Sequence, residues 1–222
     1  MMIPAQEEVA LSRVARRKVE TNRRLLKVAR QLFSEKGIYW AKVEDITELA
    51  DLGKGTFYKY FESKEAIIRV LLEEGLSELA AETDAAVRRA SSPAKILSAA
   101  ITTRVDFFLR HPDYLLLFHQ VRGMLQLQVD AAKGLLEVYD AHLRWLAKAV
   151  RPAVEGTEAS TARDLATAIA AYTSGLLTYH VLFEGAEGVR RRRDSLVHAI
   201  EQSVKALIKS GSGRSISLKR GK

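Results

Sequence analysis

The block Lys54-Gly55-Thr56-Phe57-Tyr58-Lys59-Tyr60 gathers two lysines, a threonine hydroxyl and two phenols, with no acid among them. These groups donate hydrogen bonds and offer positive charge, but they include no paired carboxylates and no thiolate. The chemistry they suit is a non-covalent grip on a polyanion, in which phosphate contacts fix position and base-edge contacts read sequence. Gly53 and Gly55 let the backbone come close to phosphate oxygens, where free amides at a helix N-terminus add a favourable dipole.

Such groups read DNA when one helix is braced on the backbone and a second, steeply inclined, puts its N-terminal side chains into the major groove. The flanking residues provide both. Val43, Ile46, Leu49 and Ala50 form an apolar stripe about two turns long, with Glu44 and Asp45 well placed in its first turn against the macrodipole. A tight Asp51-Leu52-Gly53 turn leads to a short helical segment from Lys54 to Tyr60. Ile46, Leu49, Leu52, Phe57 and Phe61 can then close a small core, turning Lys54, Thr56, Tyr58, Lys59 and Tyr60 outward.

The run Asp45-Ile46-Thr47-Glu48-Leu49-Ala50-Asp51-Leu52-Gly53-Lys54-Gly55-Thr56-Phe57-Tyr58-Lys59-Tyr60-Phe61-Glu62-Ser63-Lys64-Glu65 resembles the signature of the TetR (tetracycline-repressor-like) family. The resemblance covers roughly residues 21–68. It implies base or backbone contacts from Lys54, Gly55, Thr56, Tyr58 and Lys59, phosphate contacts from Tyr60 and Lys64, and a Glu44 able to accept from cytosine at the groove edge. Three positions depart from the family pattern. Lys42 stands where a threonine often caps helix 2, and a lysine there opposes the macrodipole and suits a phosphate better. Asp51 replaces the usual turn glycine, a residue that tolerates the left-handed conformation. Gly53 replaces a capping serine and remains a serviceable N-cap.

The rest of the chain reads as all-α, about nine helices in total. Leu25, Leu26, Ala29, Leu32 and Phe33 make the stripe of helix 1, which Gly37 ends. Ser63 caps a long fourth helix, with Ile67, Val70, Leu71, Leu79 and Val87 among its apolar positions. Ser92-Pro93 opens a fifth, His111-Pro112 divides it from a sixth, and Gly123 divides that from a seventh reaching Arg151-Pro152. After a loop at 152–160, an eighth ends near Gly185 and a ninth runs from about Asp194 to Lys209. The expected organisation is a basic arm at 1–20, a helix-turn-helix DNA-binding domain at 21–66, a ligand-binding and dimerisation domain at 67–209, and a disordered basic tail at 210–222.

Charge and composition narrow the function further. The net charge is +8, but residues 1–65 carry +3, residues 66–189 carry −3 and residues 190–222 carry +8. No cysteine is present, which removes disulfides, thiolate chemistry and Cys-based zinc sites. No run approaches the roughly 20 apolar residues of a membrane span and the N-terminus through Lys18 is polar and basic, so the expected location is the cytoplasm, with no membrane partner. Arg13, Arg16, Arg17, Lys18, Arg23 and Arg24 suit either a phosphate-tracking arm or a solvated helix extension. Arg190 to Arg193, four like charges in a row, read as a solvated loop or helix start.

The resemblance implies that helices 4 to 7 enclose a ligand cavity and that helices 8 and 9 pair with a second copy in a four-helix bundle. Leu165, Ala168, Ile169, Tyr172, Leu176, Leu177 and Leu182 make helix 8 apolar over most of its girth. Val197, Ile200, Val204, Leu207 and Ile208 give helix 9 an apolar face, so a homodimer is expected. Polar groups on otherwise apolar faces mark the candidate pocket: Arg104 with Phe108, His119 with Phe118, Tyr139, Tyr172 and His180. They suit a mainly apolar or aromatic effector with few polar handles, Arg104 pointing to an anionic group, and equally they suit a satisfied core.

The expected function is a repressor that leaves its operator, a double-stranded DNA site, when a small molecule binds. Ligand would move helix 4 as a lever and take the paired recognition helices off the roughly 34–36 Å spacing of successive grooves. The alternative is a ligand-independent architectural or nucleoid protein. An enzyme is not expected, since no nucleophile elbow, HExxH or P-loop occurs. No cofactor is expected either, and a metal trio of His111, His119 and His142 lacks diagnostic spacing.

Overall fold

The computed structural model describes residues 12–126, 133–154 and 159–211. The expected arm before residue 12 and tail beyond residue 211 lie outside the described residues. Among those described there are nine α-helices and no strand, as the all-α expectation required. They fall into two units, Met1–Ile67 and Ile68–Lys222.

In the first unit, α1 spans Arg13–Lys36, α2 Val43–Leu49 and α3 Lys54–Tyr58, and α4 (Lys64–Arg88) begins. Helix α1 starts earlier than an arm to residue 20 allowed, because Ser12 caps it by accepting from the Ala15 amide at 3.2 Å and no proline or glycine interrupts its length. Arg13, Arg16, Arg17 and Lys18 therefore stand exposed on its first two turns. Gly37 ends α1 with φ 84°, a value that favours glycine. Leu25, Ala29, Leu32, Phe33, Ile38, Ile46 and Phe57 form a core from which water is excluded. Removing a side chain such as Phe33 or Phe57 from water contributes about 1.5–3 kcal/mol. Leu49, expected in this core, is 61% exposed, since in so short a helix Ile46 and Ala50 take the inward positions.

The second unit continues α4 and adds α5 (Pro93–Arg110), α6 (Pro112–Gln126), α7 (Lys133–Val150), a 3-10 turn at Arg151–Val154, α8 (Ala159–Arg191) and α9 (Arg193–Gly211). Gly123 does not separate α6 from α7. It lies inside α6 at an exposed position where a glycine costs only about 1 kcal/mol. Part of the expected loop at 152–160 is that 3-10 turn. Helix α8 is central, packing against α5, α6, α7 and α9. At Gly185 (φ 69°) its helical geometry breaks, and a helical stretch resumes to Arg191.

Helix α8 is also long and apolar enough to cross a membrane by length and composition, a correction to the expectation that no run approached this. Packing on four neighbouring helices buries 39% of that apolar stretch. Its buried hydroxyls satisfy themselves locally: Thr173 donates to the Ile169 carbonyl at 2.6 Å, Ser174 to Ala170 at 2.6 Å and Thr178 to Ser174 at 2.7 Å. Gly75 of α4 is required for close approach, because a Cβ there would lie 2.7 Å from the Tyr114 ring and 2.9 Å from Phe118.

The Arg190 to Arg193 run spans the end of α8 and the start of α9 with Arg190, Arg191 and Arg192 exposed, as expected, but it is also paired. Arg193 makes a two-pronged pair with Asp106 of α5, Arg192 pairs with Glu184, and Arg190 pairs with Glu187 and donates to the Leu109 carbonyl at 3.2 Å. Arg190, Arg192 and Arg193 thus find acids and a carbonyl supplied in register by α5 and α8.

Candidate nucleic-acid interface and ligand cleft

Helix α3 is five residues long, and its fixed point is Phe57, wholly buried against Tyr58 and Phe61 at ring-centroid separations of 5.4 and 5.6 Å. That anchor leaves Lys54, Gly55, Tyr58 and Lys59 exposed and Thr56 and Tyr60 half-buried, so the expected set shares one unit and one short stretch of surface. Asp51 adopts φ 50°, the left-handed turn its side chain tolerates, and Gly53 is the N-cap with extended backbone.

Lys42 is the N-cap of α2 but caps with nothing of its own, since an ammonium has no acceptor. Instead the Asp45 carboxylate accepts from the Lys42 amide at 3.1 Å, leaving the lysine head exposed. Glu44 and Lys54 form an ion pair that ties the first turn of α2 to that of α3. The hydrogen bond from Lys54 holds the Glu44 carboxyl below its usual range, and the same bond raises the lysine. For either to reach a base or phosphate, this exposed pair must exchange one partner for another.

Lys64 has a role the sequence did not disclose. Its ammonium donates to the carbonyls of Ile38 at 2.8 Å and Ala41 at 3.1 Å, pinning the turn between α1 and α2 and leaving one of its three N–H groups for a phosphate. The pinned turn buries Ile38 and Ala41 and presents Tyr39 and Trp40 outward, at 56% and 81% exposure. Beside Lys42, these two aromatics are an extension of the candidate surface. An aromatic pair in a segment without periodicity gave no sign of which way it faced.

Residues 25–71 match the family described as bacterial regulatory proteins, tetR family. The chain's helix-turn-helix region is that of this family. An uncharacterized HTH-type transcriptional regulator of Bacillus subtilis (strain 168), YvdT, is 27% identical over 136 residues, covering 61% of this chain and 68% of that protein. The HTH-type transcriptional repressor DhaR of Mycobacterium sp. (strain GP1) is 39% identical over 69 residues, 31% of this chain and 35% of its own length. Among solved structures, the fatty acid degradation regulator FadR of Bacillus halodurans shares the fold with a TM-score of 0.67 at 15% identity, covering 83% of this chain and 94% of that one. The Bacillus subtilis FadR, solved in complex with stearoyl-CoA, has a TM-score of 0.64 at 16% identity, covering 80% and 96%.

In the regulator's second unit, α4 and α7 enclose an open cleft of about 500 Å³. Leu76, Ala80, Val138, Ala141 and Trp145 make its apolar walls, Arg69, Glu73 and Glu137 also line it, and His142 forms part of its α7 wall. Behind His142 lies Arg104, 3% exposed, whose Nη1 donates to His142 Nε2 at 3.0 Å and whose Nε donates to Thr173 Oγ1 at 3.3 Å. The guanidinium also stands 5.8 Å from the Phe108 ring centre. Because Nε2 accepts, His142 is the Nδ1–H tautomer, and burial beside the cation pushes its pKa down to about 3. Burial likewise lowers Arg104 to about 10 and raises the Tyr139 phenol, which donates to the Phe118 carbonyl at 2.8 Å.

Four of the expected pocket residues, Arg104, Phe108, Phe118 and Tyr139, are neighbours of one another, though none of the seven lines the cleft. The other three do not join them. His119 is exposed on α6. Tyr172 is 40% exposed and shares an outward stripe of α8 with Tyr179 and Phe183. His180 pairs with Glu184, which also pairs with Arg192. An apolar neighbour three or four positions away marks a helix face but not which of two opposite faces looks inward. Thr173, Arg122 and Ser174 were missed because they read as ordinary polar positions, and His142 was weighed only as a member of a metal trio. The histidines also part company: the His111 ring lies tilted against Phe107 at 4.9 Å, and no group of three metal-ligating side chains occurs among the described residues.

Proposed function

We propose that the chain is a cytoplasmic, homodimeric repressor that leaves its operator when a small molecule fills the cleft between α4 and α7. The observation carrying this reading is that the cleft has α4 for a wall, and α4 is one continuous helix whose first turn holds Lys64 and hence the turn beside α2. A ligand that binds the cleft in one arrangement of α4 better than another shifts the population of DNA-competent protein by its differential affinity alone. The stearoyl-CoA complex of the B. subtilis neighbour supports a ligand in this fold, without naming the ligand here.

In this reading Lys54, Gly55, Thr56, Tyr58 and Lys59 meet the major groove while Lys42, Tyr60 and the spare N–H of Lys64 meet phosphates. Glu44 is freed from Lys54 to accept from a base. The dimer forms through α8 and α9, where Tyr172, Tyr179, Leu182, Phe183 and Leu207 are exposed apolar groups that a second copy would cover. Selection from random duplexes, followed by retardation with and without a metabolite mixture, tests the whole. A two-fold site released by one component is expected. Binding with little sequence preference and no response to small molecules would instead favour the architectural alternative, and a stable monomer at micromolar concentration in sedimentation would remove the dimer.

A further inference from the structure

The second unit treats its arginines unequally. Arg110 sits on Glu82, Arg163 on Asp140 and Arg193 on Asp106. Arg104, the most deeply buried of these, has only neutral partners: an imidazole nitrogen, a threonine hydroxyl and the face of Phe108. Arg122 is close enough to act on it as a like charge, and donates to Ser174 Oγ. Among the described residues no carboxylate pairs with either. Thr173 and Ser174 each spend their one hydrogen on their own helix and so can serve these cations only as acceptors. A cation desolvated without a counter-charge is costly, and a unit that pairs Arg110, Arg163 and Arg193 with acids has left Arg104 without one.

The cleft reaches the partner of this charge, His142, though Arg104 itself does not line it. His142 is at once the hydrogen-bond partner of Arg104 and part of the cleft wall, and Trp145 beside it lines the same space. We propose that the cleft takes an amphiphile with an apolar body and a single anionic group, and that this group binds the Arg104 guanidinium by turning the His142 ring aside. Replacing a neutral acceptor by an anion makes a charge-assisted bond about twice as strong, and the apolar body covers Leu76, Ala80, Val138 and Trp145. The displaced ring shifts α7 against α4, which links head-group capture to the wall that continues towards Lys64. This inference rests on the cleft being the effector site.

Two dyes with one aromatic skeleton test it: 8-anilinonaphthalene-1-sulfonate, which is anionic, and N-phenyl-1-naphthylamine, which is not. The chain has two tryptophans, Trp40 and Trp145, so in full-length Trp40→Phe protein energy transfer to the dye reports only on the cleft. The sulfonate is expected to bind once per chain and to weaken at least tenfold in Arg104→Met, while the neutral dye changes less than twofold. Arg104→Lys, which keeps a charge, is expected to fall between and serves if the methionine variant does not fold. Sulfonate binding within twofold of the parent in a folded Arg104→Met protein, with the neutral dye bound as before, sinks this proposal and leaves the cleft as a ligand site. Failure of both dyes to draw energy from Trp145 sinks the cleft reading as well.

Discussion

The two units carry their candidate sites in opposite ways. In the first, every proposed contact lies between residues 42 and 64, on two short helices, the turns beside them and the first residue of α4. In the second, Arg104 meets His142 and Thr173 across separations of 38 and 69 residues. A surface that reads a groove must present one short helix with its exposed groups in sequence, so its chemistry is written contiguously. A ligand site inside a helical bundle draws single residues from several helices, each at the same three-to-four spacing that the core itself uses. The first kind of site can be recognised before folding, the second only after it.

The largest expected effect concerns the contiguous site. Tyr58→Ala combined with Lys59→Ala is expected to abolish operator retardation, a loss of at least about 100-fold, with an unchanged helical signal, because both side chains are exposed and Phe57 alone holds α3. Normal binding by the folded double variant would break the assignment of this face. The opposite pattern is expected for Gly75→Val in the second unit: a stability loss of about 2–3 kcal/mol as Tyr114 and Phe118 are pushed back, read as a lowered urea midpoint.

The same contrast governs how much of each unit was legible. The first unit's helices, its left-handed Asp51 and its glycine N-cap could all be read, because local sequence dictates them. Leu49 was misplaced for a local reason too, since a helix of seven residues has too few turns to define an inward face. In the second unit the borders at Ser92-Pro93 and His111-Pro112 were equally legible, being written in capping chemistry. Tyr172 and Arg104 looked alike in sequence, each a polar group on an apolar helix, yet one faces out and the other is buried. The partner that decides the matter for Arg104, His142, sits on a different helix.

A pH titration sharpens that buried contact. The His142 pKa is depressed to about 3 in the folded protein against an ordinary 6.5 when unfolded. Below 6.5 the unfolded chain therefore binds more protons, so stability is fully present above pH 6.5 and falls as pH drops towards 3. One such group contributes a slope of at most about 1.4 kcal/mol per pH unit. The difference in unfolding free energy between pH 7 and pH 5 should shrink by about 2 kcal/mol in His142→Gln, which can still accept from Arg104. Equal pH dependence in the two proteins would mean that His142 is already protonated or solvated in the fold.

The smallest effect separates bracing from contact within the DNA-binding unit. Lys64 spends two N–H groups on the Ile38 and Ala41 carbonyls, so Lys64→Met removes a brace as well as any phosphate contact. If bracing dominates, stability falls by about 1–2 kcal/mol, the cost of leaving part-buried carbonyls unpaired. In a Trp145→Phe background the Trp40 emission should then depolarise, because the turn presenting that ring has lost its pin. The slope of log affinity against log salt should stay within about half a unit of the parent. If phosphate contact dominates, the slope becomes shallower by about one unit and Trp40 keeps its anisotropy. The first outcome would make Lys64 the one residue in the contiguous stretch whose principal work, like that of Arg104, depends on partners distant in sequence.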